Sequence, residues 1–271
     1  VRKVRLDNYL VSHGFAHDLK EAMGLILSGR VRLGSQVLDK PGMLVDPDAE
    51  IYIKGVMEFV SRGGLKLKKA YDLFNIEFTG KIVLDIGCST GGFTDFALKH
   101  GAKKVFSIDV GKGVLDYSLR NDDRVVVKEG INFRNISFEE IGVYPDIIVG
   151  DLSFISLKTI YKPLLKFCKE NTEVIFLIKP QFEASPTEVE KGGVVRNKGV
   201  YNRVLEEVIN IYSQSFKLCG LTTSPIKGAK GNIEFLAFFV YCGTLLYNEN
   251  IEDIIKKVVD EEYSYYCKTS C

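Results

Sequence analysis

The chain has 271 residues, 46% hydrophobic and 26% charged, with 25 Gly and 7 Pro, which rules out disordered, collagen-like and low-complexity classes. Its longest apolar run, Phe235–Cys242, is far shorter than the roughly 18–20 residues of a bilayer crossing, and no basic-then-apolar segment opens the chain, so the expectation is a cytoplasmic protein without stable membrane association. Basic residues exceed acidic ones by one, but the segment from Ile251 onward is net acidic and the rest correspondingly basic, so charge alone leaves nucleic-acid binding open.

In chain order, Leu6, Leu10 and Val11 recur at helical spacing until Gly14. Asp18 reads as an N-cap with Glu21 three residues on, opening a helix through Ala22, Leu25 and Ile26 to Ser28-Gly29. Short strands are predicted at Val31–Leu33 and Glu50–Lys54. Residues 1–56 thus form a small α+β unit of the size used as a binding accessory, and 57–64 a linker. The linker is too short for freely tethered units. His13 and His17 are four apart but lack further ligands, so they read as turn residues and no metal is expected. Cys88, Cys168, Cys219 and Cys242 read as buried free thiols, and only Cys267 and Cys271 as accessible.

From Lys81 the pattern alternates strand, Gly turn and helix. Strands are predicted at 82–86, 104–109, 124–127, 146–149, 174–178 and 234–240, and helices at 92–99, 115–119, 157–168 and 201–216. Apolar strands alternating with helices mean an α/β fold whose parallel sheet is covered on both faces, here over residues 65–243. In the tail, 244–271, Ile251, Ile254, Ile255, Val258 and Val259 keep helical spacing, as an appended helix would.

The sharpest local signal is Asp85-Ile86-Gly87-Cys88-Ser89-Thr90-Gly91-Gly92-Phe93, where an apolar strand runs through a Gly-rich turn into a helix. Its spacing is neither that of a dinucleotide-binding turn nor that of a P-loop, and Asp85 would repel a pyrophosphate. An acidic residue there suits the cationic S-adenosylmethionine, and Asp109, ending the next strand, suits ribose hydroxyls. Asp85, Gly87, Ser89, Thr90, Gly91, Gly92, Phe93, Asp109 and Val110 are therefore the expected cofactor residues. Three charges sit at further strand ends: Asp151, Lys179 and Glu234. A lysine closing a run of apolar residues must emerge into a cleft beside carboxylates, because burying it unpaired costs several kcal/mol.

Ser61-Arg62-Gly63-Gly64-Leu65-Lys66, the Gly-rich loop, Asp109-Val110-Gly111, Asp151-Leu152-Ser153-Phe154, Lys179-Pro180-Gln181-Phe182-Glu183 and Ser224–Phe235 occur in this order along nearly the whole chain. In these strings the protein resembles the TlyA family, known historically as hemolysins and as FtsJ-type ribosomal RNA ribose 2′-O-methyltransferases. The resemblance implies a Rossmann-like S-adenosylmethionine-dependent methyltransferase with a small N-terminal "S-four" RNA-binding domain. It also implies a catalytic tetrad Lys66, Asp151, Lys179 and Glu234, and a cytidine in ribosomal RNA within ribosomal subunits as substrate. On that mapping Lys179 accepts or orients the hydroxyl proton, Lys66 tunes its neighbour, and the carboxylates orient the ammonium groups. Lys20, Arg30, Arg32 and Arg62 are the expected RNA contacts, although Asp18-Leu19 stands where the family carries a Ser-Arg pair, and Phe59 where longer members have Trp. Two other readings are a membrane-permeabilising cytolysin, disfavoured by the acidic tail, and an RNA-binding module with an inactive methyltransferase fold, disfavoured by the intact tetrad.

Overall fold

The computed structural model describes residues 3–16, 18–34, 36–47, 49, 51–55, 58–244 and 250–269, and its contacts divide the chain into Val1–Met57 and Glu58–Cys271. Of the residues singled out above, His17, Glu50, Met57 and Cys271 lie outside the described residues, as does the side chain of Cys267.

The first unit runs β1 (Val4–Arg5), α1 (Leu6–Ser12), α2 (Leu19–Leu27), β2 (Val31–Leu33), β3 (Gln36–Val37), β4 (Leu44–Val45) and β5 (Ile51–Ile53). Asp18 caps α2 as its spacing predicts, its carboxylate accepting from the Glu21 amide at 2.8 Å, a contact worth about 1 kcal/mol. Leu6, Leu10, Ala22 and Ile26 meet Val31, Val45, Ile51 and Ile53 in one small core. β2 pairs antiparallel with β3 and β5, and β1 with β4. The two-residue strands were not anticipated, since so short a segment shows no alternation. His13 closes α1 by stacking on Tyr9 at 3.8 Å. On α2, Leu19, Met23 and Leu27 form an exposed apolar row at i, i+4, i+8, so Leu19 belongs to a face that is apolar throughout.

The second unit runs α3 (Gly63–Phe74), β6 (Ile82–Ile86), α4 (Gly92–Lys99), β7 (Lys104–Asp109), α5 (Tyr117–Arg120), β8 (Val125–Glu129), β9 (Ile147–Gly150), α6 (Leu157–Leu165), β10 (Glu173–Ile178), α7 (Pro180–Glu183), α8 (Lys198–Tyr212), β11 (Phe216–Thr223), β12 (Phe235–Tyr241) and α9 (Ile251–Thr269). Its sheet has the order β11-β12-β10-β9-β6-β7-β8. Five strands are parallel, but β12 pairs antiparallel with β10 and β11 with β12. The expectation of a wholly parallel sheet is thus corrected at one edge. Helix α8 also ends at Tyr212 rather than Phe216, and Phe216 opens the unanticipated β11. Successive residues alternate between two apolar layers. Leu84, Ile148 and Phe176 pack with α6, α8 and α9, while Val83, Val149 and Ile175 pack with α3 and α4.

Three further differences have local causes. Phe59, in the expected linker, is 3% exposed; its ring meets Phe96, and the next amide, Val60, donates to Asp95 at 2.9 Å. Gly64 makes room for it, since a Cβ there would lie 2.2 Å from the Phe59 ring. The segment from Glu58 is therefore packed into the second unit. Cys88 and Cys168 are buried, but Cys219 is exposed, against expectation, because it is the extra residue of a bulge between Leu218 and Gly220 on the edge strand. In the tail, Ile255 and Val259 of α9 are buried in the core, and no helix among the described residues is long and apolar enough to cross a membrane.

Candidate active site

The strand order reverses between β6 and β9, and at such a switch point the C-terminal strand ends diverge and leave a crevice. The loop after β6 turns through Gly91, whose φ is +97°; a Cβ there would sit 2.3 Å from Leu119, so only glycine is accommodated. Asp109, at the end of β7, clamps two loops. Its Oδ2 accepts from the Ser89 amide at 2.8 Å and its Oδ1 from the Gly111 amide at 2.7 Å, leaving each oxygen a further lone pair.

Glu129, at the end of β8, was not singled out in the sequence. It accepts from the Leu115, Gly113 and Val114 amides at 3.1, 2.7 and 3.0 Å and from Arg120 at 2.6 Å, and so holds the strand-to-α5 segment beside Asp109. These amides, Leu115 first, bring its carboxyl down to about 2.

Asp85 is buried at the other side of the same loop. Its Oδ2 accepts from Thr94 Oγ1 at 2.7 Å, while Oδ1 has no partner among the described residues. Burial, reinforced by the Asp151 charge and opposed by the Thr94 hydrogen bond, pushes its carboxyl up to about 7. Between about pH 4 and 7 the folded state therefore holds a proton that the unfolded state has released, so this group lowers stability as pH rises through that window, by up to about 4 kcal/mol at pH 8. Asp85→Asn is expected to raise the melting temperature at pH 8 and to leave it near the wild-type value at about pH 4. Thermal melts at the two pH values check this; equal shifts at both would contradict it.

Four charged side chains converge beside Asp85. Lys66 comes from α3, Asp151 follows β9, Lys179 follows β10, and Glu234 precedes β12. Lys66 Nζ lies 2.8 Å from Glu234 Oε2 and 3.1 Å from Asp151 Oδ2, and Lys179 Nζ lies 2.6 Å from Asp151 Oδ1. Burial works against the Lys66 charge, yet the Asp151 and Glu234 carboxylates outweigh it and raise its pKa above the ordinary lysine value. Asp151 is lowered in the same way, Lys179 and Lys66 outweighing burial. Lys179 also donates to Ser153 Oγ at 2.7 Å.

The four line a cavity of about 430 Å3 together with Asp85, Gly87, Ser89, Thr90, Gly92, Phe93 and Arg62. A second cavity, about 520 Å3, holds Asp109 and Val110, and the two share Gly87, Ser89, Asp151, Ser153 and Phe154. Among the expected cofactor residues only Gly91 lines neither; it shapes the turn. Of the expected RNA contacts, Arg62 lies at the first cavity. Lys20 and Arg30 are exposed and Arg32 half-buried in the first unit.

Residues 59–241 match the FtsJ-like methyltransferase model and residues 4–51 the S4 domain. The chain belongs to the FtsJ-like methyltransferase family. It is 37% identical to the 16S/23S rRNA (cytidine-2′-O)-methyltransferase TlyA of Mycobacterium tuberculosis over 96% of its own length and 98% of that protein's. It is 45% identical to Hemolysin A of Brachyspira hyodysenteriae, over 88% of its own length and all of that protein. A solved structure of a Streptococcus thermophilus protein described as a hemolysin matches 99% of this chain and 98% of its own, with a TM-score of 0.75 and 37% identity. The FtsJ-like family is one of S-adenosylmethionine-dependent methyltransferases, and the four charges fall within the segment it matches, as Lys20, Arg30 and Arg32 fall within the S4 match.

Proposed function

We propose that this FtsJ-like methyltransferase methylates the 2′-hydroxyl of a cytidine in ribosomal RNA, presented within a ribosomal subunit. The observation that carries the reading is the continuous ion-pair chain Glu234–Lys66–Asp151–Lys179 at a cavity that shares its wall with the one holding Asp109. S-adenosylmethionine, when bound, supplies an electrophilic methyl group on a sulfonium. The residues fit it: Asp85 offers a buried, unpartnered carboxylate oxygen to an ammonium, and Asp109 keeps lone pairs for ribose hydroxyls.

A ribose hydroxyl is a weak acid and a poor nucleophile, so transfer needs a base and in-line positioning. Lys66 stays charged, because it is held by two carboxylates. Lys179 has a single carboxylate partner among the described residues, Asp151, and is the amine assigned here to take the hydroxyl proton. Glu234 and Asp151 keep Lys66 in place, and Arg62, exposed at the same cavity, is placed to meet a phosphate.

Incubation with methyl-labelled S-adenosylmethionine and separated ribosomal subunits, followed by digestion to nucleosides, tests this. Label is expected on a ribose; label on a base, or none on either subunit, would refute it. The S4-like unit supplies grip through phosphates, and target choice comes from RNA shape and a flipped nucleotide. A protein starting at Glu58, which keeps Phe59 in its packing, should bind S-adenosylmethionine like the whole chain yet methylate subunits at least about tenfold more slowly at low enzyme concentration. Equal rates would make the first unit dispensable.

A further inference from the structure

Ser153 lies on the wall common to both cavities, and the only hydrogen bond of its hydroxyl among the described residues is the 2.7 Å contact from Lys179 Nζ. The loop that carries it is held at both ends. Asp151 is fixed by two lysines, while Ser156 Oγ and the Leu157 amide both donate to Glu183 at 2.6 Å. Between them Phe154 adopts a left-handed φ of +60°, a conformation that a bulky side chain keeps only when its surroundings impose it. A serine at the junction is thus held in register with the lysine amine by the loop rather than by packing of its own side chain, which is exposed.

A tetrahedral amine that must receive a proton has to point its lone pair at the incoming hydroxyl. With one side ion-paired to the Asp151 carboxylate, one N–H given to Ser153 and the Phe182 ring centroid 5.7 Å away, the rotation of the amine decides whether its lone pair can face the substrate hydroxyl. We propose, resting on the methyl-transfer reading above, that Ser153 is the positioning residue that fixes the rotation of the Lys179 amine. Lys179 takes the 2′-hydroxyl proton as the ribose oxygen bonds to the methyl carbon and the departing sulfur keeps the electron pair of the broken carbon–sulfur bond. The proton then leaves to water.

The full chain carrying Ser153→Ala should therefore lose about tenfold or more in kcat while its Kd for S-adenosylmethionine stays within about twofold. The KM for ribosomal RNA should also stay within about twofold, and Ser153→Thr, which keeps the hydroxyl, should restore kcat. A merely structural role would raise KM and Kd along with the fall in kcat, or leave Ser153→Thr as slow as Ser153→Ala, and either of those results or an unchanged kcat overturns the proposal. Absence of ribose methylation by the unmutated protein would instead refute the methyl-transfer reading itself.

Discussion

Lys179→Ala is expected to lower turnover on ribosomal RNA by about a thousandfold, with the Kd for S-adenosylmethionine changed less than about twofold. The split follows from the geometry. Lys179 shares a cavity with Asp85, but its polar partners are Asp151 and Ser153, and it makes no hydrogen bond or ion pair with Asp85 or Asp109 among the described residues. The substitution should also leave the fold intact, because Asp151 keeps its second partner, Lys66, at 3.1 Å. Single-turnover rates beside calorimetric cofactor titration measure the two quantities. A loss carried mainly by cofactor affinity would place Lys179 in binding rather than in proton transfer.

Lys66→Ala should act differently, destroying activity and stability together. Glu234 is 3% exposed, and without Lys66 it loses its ion pair at 2.8 Å, retaining among the described residues only the weak 3.4 Å side-chain contact from Gln181. A buried carboxylate stripped of its partner costs about 3–5 kcal/mol. Adding Glu234→Gln should recover much of the stability and none of the activity. Denaturant melts of the single and double variants check this, and a double variant no more stable than Lys66→Ala would show that Lys66 acts through packing alone.

How much of this was legible in the sequence depends on the range of the signal. The Gly-rich loop declares itself because the turn, the strand before it and the helix after it are contiguous, and Gly91 has no tolerated alternative. Asp151 and Lys179 declare themselves because charges that end apolar strands have few places to go. Lys66 did not. Its helix α3 opens on Gly63-Gly64 and interleaves Lys66, Lys68 and Lys69 with Leu65 and Leu67, which blurs the helical period, so only the resemblance named it. The antiparallel edge was invisible because β12 is buried and apolar, and periodicity does not report strand direction. Strand β11 was lost because an apolar helix pattern continued through the residues where the chain turns, and the register in which it pairs is set by β12, downstream. Glu129 and Ser153 take their roles from partners 9 to 16 and 26 residues away, and no local pattern encodes such contacts.

The most direct test of the central claim is alkaline hydrolysis of ribosomal RNA that this protein has modified. Alkali cleaves RNA through the free 2′-hydroxyl, so methylation there protects the following phosphodiester bond. The account predicts that label from S-adenosylmethionine will be recovered in an alkali-resistant dinucleotide whose first residue is cytidine, and that Lys179→Ala will abolish it. Label released entirely as mononucleotides would place the methyl group on a base and contradict the account.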